Sequence, residues 1–179
     1  MPHHAGRVIC CNRLMNMAGV WTMQKITPCL WFDDQAEEAA HFYTSIFKNS
    51  KITNISRYRE GSPGPVGKVM TVSFELNGQE FTALNGGPLF TFSEAVSFVV
   101  NCETQEEVDM FWDALCAGGE ESQCGWLKDR YGVSWQIVPN ALGELFMSGD
   151  AEKSKRVMQV MLQMKKLDIA RLRQAAEQA

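Results

Sequence analysis

Few residues in this 179-residue chain have types and spacing suited to chemistry. The only histidine away from the N-terminus is His41, on a segment with helical spacing, where it reads as a surface or packing residue. Asp33 and Asp34 form an adjacent carboxylate pair just after a predicted strand. Such a pair could exchange protons with a substrate. It also directly precedes a predicted helix, where an acidic side chain ordinarily caps free amides, and we assign it that role. Cys124 is the best-placed thiol, but no histidine accompanies it to stabilise a thiolate, so it reads as a packed thiol. Lys128 and Asp129 fall at a turn and read as solvated.

The elements that must position these groups follow from the pattern of residues. Lys25–Phe32 (KITPCLWF) predicts a strand, and Pro28 restricts it to an edge or a bulge. Ala36, Ala39, Ala40, Tyr43, Ile46 and Phe47 recur at helical spacing over 36–47. Lys51–Tyr58 predicts a strand whose alternation is broken at Ile52 and Ile55. Glu60–Gly67 (EGSPGPVG) can form only a turn. Val69–Leu76 and Gln79–Leu84 flank Asn77-Gly78, a two-residue hairpin signal. Residues 25–85 therefore spell β-α-β-β-β.

A second copy follows, shorter by a strand. Ser93–Asn101 predicts a strand, and Thr104–Glu107 (TQEE) a capping box opening a helix with Val108, Phe111, Trp112 and Leu115 on one face. Gly118-Gly119 ends that helix, and Glu121–Leu127 and Val133–Val138 read as two strands. Residues 140–179 are helical, with a stripe of Val157, Val160, Met161 and Met164 and a cap at Asp168. This tail is expected to pack on the domain or across a homodimer. Residues 1–22 do not match the rest and read as an upstream extension, a disordered arm or an added helix.

Composition bounds the function. The chain is 45% hydrophobic and 21% charged, as expected for a globular domain able to bury its own core. A net charge of -4 without a basic stripe argues against a nucleic-acid partner. No apolar run approaches the ~18 residues of a membrane span. Cys10, Cys11, Cys29, Cys102, Cys116 and Cys124 form no CxxC pair, which removes the zinc-ribbon reading. Their placement fits a reducing, cytoplasmic setting.

Three runs, FDDQAEEAAHFYTSIF, NGQEFTALNGGP and CGWLKDRYGVSWQIVP, together resemble the PhnB-like group of the vicinal oxygen chelate, or glyoxalase, superfamily. Its members are often labelled 3-demethylubiquinone-9 3-methyltransferase-like. We take the resemblance to run from about Ile26 into the tail pattern KKLDIARL. It implies an α+β fold of two paired βαβββ modules (25–87 and 92–139) within a domain over 23–139, forming a curved mixed sheet with a cleft, followed by helices. It also implies a homodimer.

In metal-using relatives four strand positions face the cleft and carry His, Glu or Gln. Here the resemblance places Thr27 or Pro28, Asn85, Ser97 (with Glu94 nearby) and Gln136 there. Neutral amides and hydroxyls bind zinc or nickel poorly, so no cofactor and no tightly held metal are expected. The alternative is a weak divalent ion at Glu94. The expected ligand is a neutral polar small molecule, contacted by candidates Trp31, Phe81, Asn85, Glu94, Ser97, Cys124, Trp126 and Gln136. Stacking between Trp126 and Phe81 would suit sequestration of a planar drug. Methyl transfer from S-adenosylmethionine ordinarily uses a glycine-rich loop opening a helix. Asn85-Gly86-Gly87-Pro88 joins two strands instead, so that activity, like a glyoxalase- or dioxygenase-type reaction, stands as an alternative.

Overall fold

The computed structural model describes Leu14–Met15, Trp21–Thr22 and residues 25–178. Leu14–Met15 (β1) pairs antiparallel with Trp21–Thr22 (β2); the rest of the arm expected over 1–22 lies outside the described residues. The chain divides into two compact units between Gly87 and Pro88.

In the first unit, β3 (Cys29–Phe32), α1 (Ala36–Ile46), β4 (Lys51–Arg57), β5 (Val69–Leu76) and β6 (Gln79–Asn85) follow in order. The sheet runs β3-β6-β5-β4, with β3 parallel to β6 and the other pairs antiparallel. Pro28 lies just outside β3, which is an edge strand, and its carbonyl accepts from Thr82 N. Asn77 (φ 47°) and Gly78 (φ 83°) make the tight hairpin their sequence predicts. The broken alternation in β4 reflects register shifts between Ile52 and Asn54 and between Ser56 and Arg57.

Four small or aromatic residues of α1, Ala36, Ala39, Ala40 and Tyr43, are fully buried on the sheet. Tyr43 stacks on Phe74 and Phe74 on Phe81, at ring distances of 6.1 and 5.4 Å. The expected cap by Asp33 or Asp34 is not made. The residue before the helix is Gln35, with no side-chain cap bond, and Ala36 N instead donates to Asn85 Oδ1 of β6 at 2.8 Å. A partner distant in sequence fills the place that local pattern assigned to the aspartates.

The second unit repeats the topology: β7 (Ser97–Cys102), α2 (Gln105–Cys116), β8 (Glu120–Glu121), β9 (Trp126–Lys128) and β10 (Ser134–Pro139), with sheet order β7-β10-β9-β8 and β7 parallel to β10. The copy is thus complete, not one strand short. The segment read as one strand over 121–127 is β8, a turn and β9. Cys124 (φ 59°) and Gly125 (φ 84°) turn the chain, and a cysteine in left-handed backbone gives no sequence signal. The capping box forms in altered shape: Thr104 Oγ1 accepts from Glu107 N, while the Glu107 carboxylate accepts from Glu103 N.

Asp129 is not solvated. It is 3% exposed, and its carboxylate accepts from the amides of Tyr131 and Val133 and from Trp135 Nε1, at 2.8, 3.1 and 2.8 Å. The β9–β10 connection folds around this side chain. Lys128 is engaged too, in an ion pair with Glu94.

The tail forms α3 (Asn140–Phe146), α4 (Ala151–Met161) and α5 (Ile169–Glu177). Leu142, Val157, Met164, Leu167, Leu172 and Ala176 make a small core, with Val160 and Met161 packed against it. Asp150 and Asp168 cap α4 and α5. The tail docks within its own unit. Cys124 N and Gly125 N donate to Met164 O and Lys165 O, and the Gln105 carboxamide accepts from Ile169 N while donating to Leu167 O. No helix among the described residues is long and apolar enough to cross a membrane.

Two outcomes follow from these cores. Asp129→Ala leaves two buried donors and a part-buried one without their acceptor and should lower the unfolding free energy by about 3–5 kcal/mol in urea denaturation. A loss under ~1 kcal/mol would show that the turn does not depend on the carboxylate. The Cys102 thiol, fully buried, is pushed up to about 11 by that burial, with Glu107 adding to the effect. Its raised folded value means that Cys102 favours the folded state while neutral, and that this contribution is lost as pH rises from the unfolded value toward 11. Cys102→Ala should therefore flatten the fall in stability over that alkaline range, read from melting temperature against pH.

Candidate functional site

The first unit holds a cavity of about 890 Å³ at the C-terminal ends of β3 and β6, beside the start of α1 and under the 59–68 connection. Two aromatic side chains wall it, and both are pinned by their polar atoms. Trp31 Nε1 donates to Gly87 O at 2.8 Å, and Tyr58 OH donates to Asn85 O at 2.6 Å. A glycine lies against each ring: a Cβ at Gly86 would run into the Trp31 indole, and one at Gly64 would meet the Tyr58 ring. With their donors taken, the two rings add aromatic surface to the lining. Charges of both signs complete the lining, with Arg57 and Lys68 on one side of the count and Asp33, Asp34 and Glu37 on the other. Arg57 pairs with Glu37 at 3.9 Å and donates to Gly67 O at 3.3 Å.

Asn85 lines the cavity and also builds it. Its Oδ1 accepts from Ala36 N, its Nδ2 donates to Val69 O at 3.1 Å, and its own carbonyl accepts from Tyr58. Its side chain therefore lies on the α1 face of the sheet, with Phe81 and Ala83, while Thr82 and Leu84 point the other way. Phe81, 6% exposed and stacked on Phe74, stands in the core and not against the cavity. Trp126, expected with Phe81 to stack on a planar ligand, lies in the other unit.

In the second unit, Ser97, Gln136, Trp126, Lys128 and Ser134 share the sheet face opposite α2. Gln136 Nε2 donates to Ser97 Oγ at 2.8 Å, and Trp135, on the other face, is buried over α2 with its ring 5.3 Å from Phe98. Glu94 reaches this face through Lys128, whose hydrogen bond holds the Glu94 carboxyl below its usual range. Glu94, Trp126, Lys128 and Ser134 line a recess of about 130 Å³. The Ser134 hydroxyl is buried there without a hydrogen-bond partner among the described residues. Cys124 stands apart from this group, at the turn that holds the tail, with Sγ 3.6 Å from Met161 O.

The repeated topology allows the strand positions to be compared. Phe32 with Asn85 and Cys102 with Pro139 are the last registered pairs of the two parallel ladders. Aligning them sets Thr82 in the place of Gln136 and Thr27 in the place of Ser97. Two threonines, a serine and a carboxamide then occupy the positions at issue, and Gln136 and Ser97 already satisfy each other. This donor set does not fit a zinc or nickel ion. Among the described residues no three His, Cys, Asp or Glu side chains are grouped to hold a metal. The glycine pair has no amides to spare: Gly86 N and Gly87 N donate to Phe32 O and Asp33 O, and no helix opens after them.

The lining residues that escaped sequence reading include Glu37, Arg57, Tyr58, Gly64 and Lys68. The EGSPGPVG segment reads as a spacer. Its available signal is a tyrosine just before a Pro/Gly loop that returns to the sheet, a pattern that can lay an aromatic ring against glycine.

Similarities to known proteins bear on this fold. A family model described as 3-demethylubiquinone-9 3-methyltransferase matches residues 24–138, ending before the tail helices, so KKLDIARL lies outside it. A solved structure of a PhnB protein from Bacillus cereus, described as a 3-demethylubiquinone-9 3-methyltransferase, is 44% identical, with 65% of this chain and 99% of that one covered and a TM-score of 0.60. Protein PA1353 from Pseudomonas aeruginosa is 20% identical over 65% of this chain and 97% of its own, with a TM-score of 0.54. The fosfomycin resistance protein FosX from Listeria monocytogenes is 18% identical over 68% and 94%, with a TM-score of 0.50. These last two share the fold. No curated protein matches the chain. The repeated βαβββ units and the match over 24–138 place this chain in the PhnB-like, 3-demethylubiquinone-9 3-methyltransferase-like family of the vicinal oxygen chelate superfamily.

Proposed function

We propose that the chain is a metal-free, small-molecule-binding member of this family, with its ligand held in the first-unit cavity against Trp31 and Tyr58. The observation that carries this is the pinning of both rings through Gly87 O and Asn85 O, each ring backed by a glycine. Rigid aromatic walls of this kind cost little ordering entropy on binding. The volume of about 890 Å³ lies in the range of small-molecule sites. The proposed setting is a cytoplasmic homodimer. Family membership supports the dimer, and the free thiols of Cys29, Cys102, Cys116 and Cys124 support a reducing compartment.

A second reading, methyl transfer, is favoured by the family description. Against it stands the engagement of the Gly86 and Gly87 amides. Calorimetric titration with S-adenosylmethionine separates the two, since micromolar binding would favour the enzyme.

The main test is tryptophan fluorescence against a panel of planar compounds. At least one should quench, and Trp31→Phe or Gly86→Ala, the latter by displacing the indole, should weaken that binding at least about tenfold. Quenching that ignores both substitutions would move the site elsewhere. Metal analysis and light scattering on the same preparation should give no stoichiometric Mg, Mn, Ni or Zn and twice the chain mass. A full-occupancy ion would replace the metal-free reading, and a monomer would remove the dimer.

A further inference from the structure

The cavity's charges suggest what kind of molecule it takes, on the premise that it is the ligand site. Arg57 and Glu37 face each other across 3.9 Å, the outer limit of an ion pair, with side chains 54% and 39% exposed. An exposed pair at that distance is worth little, so separating it costs little. Among the described residues Arg57 makes one other bond, a 3.3 Å contact to Gly67 O, which leaves most of its planar fork to a carboxylate. Asp33 and Asp34 add negative charge beside Glu37, and Lys68 adds positive charge beside Arg57. The Trp31 and Tyr58 rings line the same cavity as this pair, with their polar atoms already bonded. Such rings select by stacking and apolar contact.

We propose that the cavity binds an aromatic α-amino acid or a close zwitterionic analogue. The ligand's ring lies against Trp31 and Tyr58. Its carboxylate meets Arg57 and its ammonium meets Glu37, so that the head group inserts into the loose pair and satisfies each member better than they satisfy one another. A ligand with only one charge leaves one member of the pair facing the wrong sign or nothing.

Isothermal titration of the full chain with indole, indole-3-propionate, tryptamine and L-tryptophan tests this, since the four share a ring and differ in charge. L-tryptophan should bind tightest, each singly charged compound at least about tenfold weaker, and indole weakest. Arg57→Gln should erase the advantage of L-tryptophan over tryptamine, and Glu37→Gln its advantage over indole-3-propionate. Both side chains are exposed, so neither substitution threatens the fold. Affinities equal within about threefold, or unchanged by both substitutions, would overturn the zwitterion assignment and leave the cavity reading standing. Silence from all four, beside Trp31-dependent quenching by another planar compound, would also overturn the assignment alone. If nothing binds in a Trp31-dependent way, both fall.

Discussion

The first unit depends on one carboxamide. Asn85 ends β6, and three elements meet on it: α1 through Ala36 N, β5 through Val69 O and the β4–β5 connection through Tyr58 OH. Each contact satisfies a group that would otherwise be stranded at an element's end. The first amides of a helix have no partner within it. Asn85 supplies one from across the sheet, and in doing so fixes where α1 begins relative to β6. The next two residues complete the construction, as Gly86 leaves room for the Trp31 indole and Gly87 O accepts its proton. Helix placement and the two aromatic walls are therefore parts of one hydrogen-bonded arrangement.

The second unit has a matching constraint of different chemistry. Asp129 gathers two amides and an indole N–H into a buried turn, and with it orders the run KDRYGVSW between β9 and β10. That run carries much of the resemblance to the family, yet most of it is engaged in holding a strand connection. Only alternate residues, among them Lys128, Ser134 and Gln136, reach the open sheet face. The most recognisable stretch of the chain thus speaks chiefly about fold, and the residues of the open sheet face stand between its structural ones.

The two units share strand order and present different surfaces. One offers pinned rings and mixed charge, the other a serine–carboxamide pair and a lysine held by Glu94. In the superfamily the same positions can carry metal ligands. The hydroxyls and carboxamide found there are poor ligands for zinc or nickel. The family match is accordingly secure in fold and open in chemistry, because the fold is set by core residues and the chemistry by a few surface ones.

By itself the sequence determined what local physics controls. Spacing of Ala39, Ala40 and Tyr43 specified α1, Asn77-Gly78 specified the hairpin, Pro28 limited the first strand to an edge or a bulge, and Asp168 capped α5. Each depends on backbone sterics or a partner within a few residues. Only the tertiary structure decided the rest. It showed Asn85 capping a helix 49 residues away, Asp129 buried instead of solvated, a cysteine turning the chain at Cys124, and Tyr58 and Arg57 brought beside Trp31 and Glu37. Those outcomes depend on which distant groups arrive at the same place. A side chain's local pattern says what it can bond, and the packed sheet and helix decide which partner it meets.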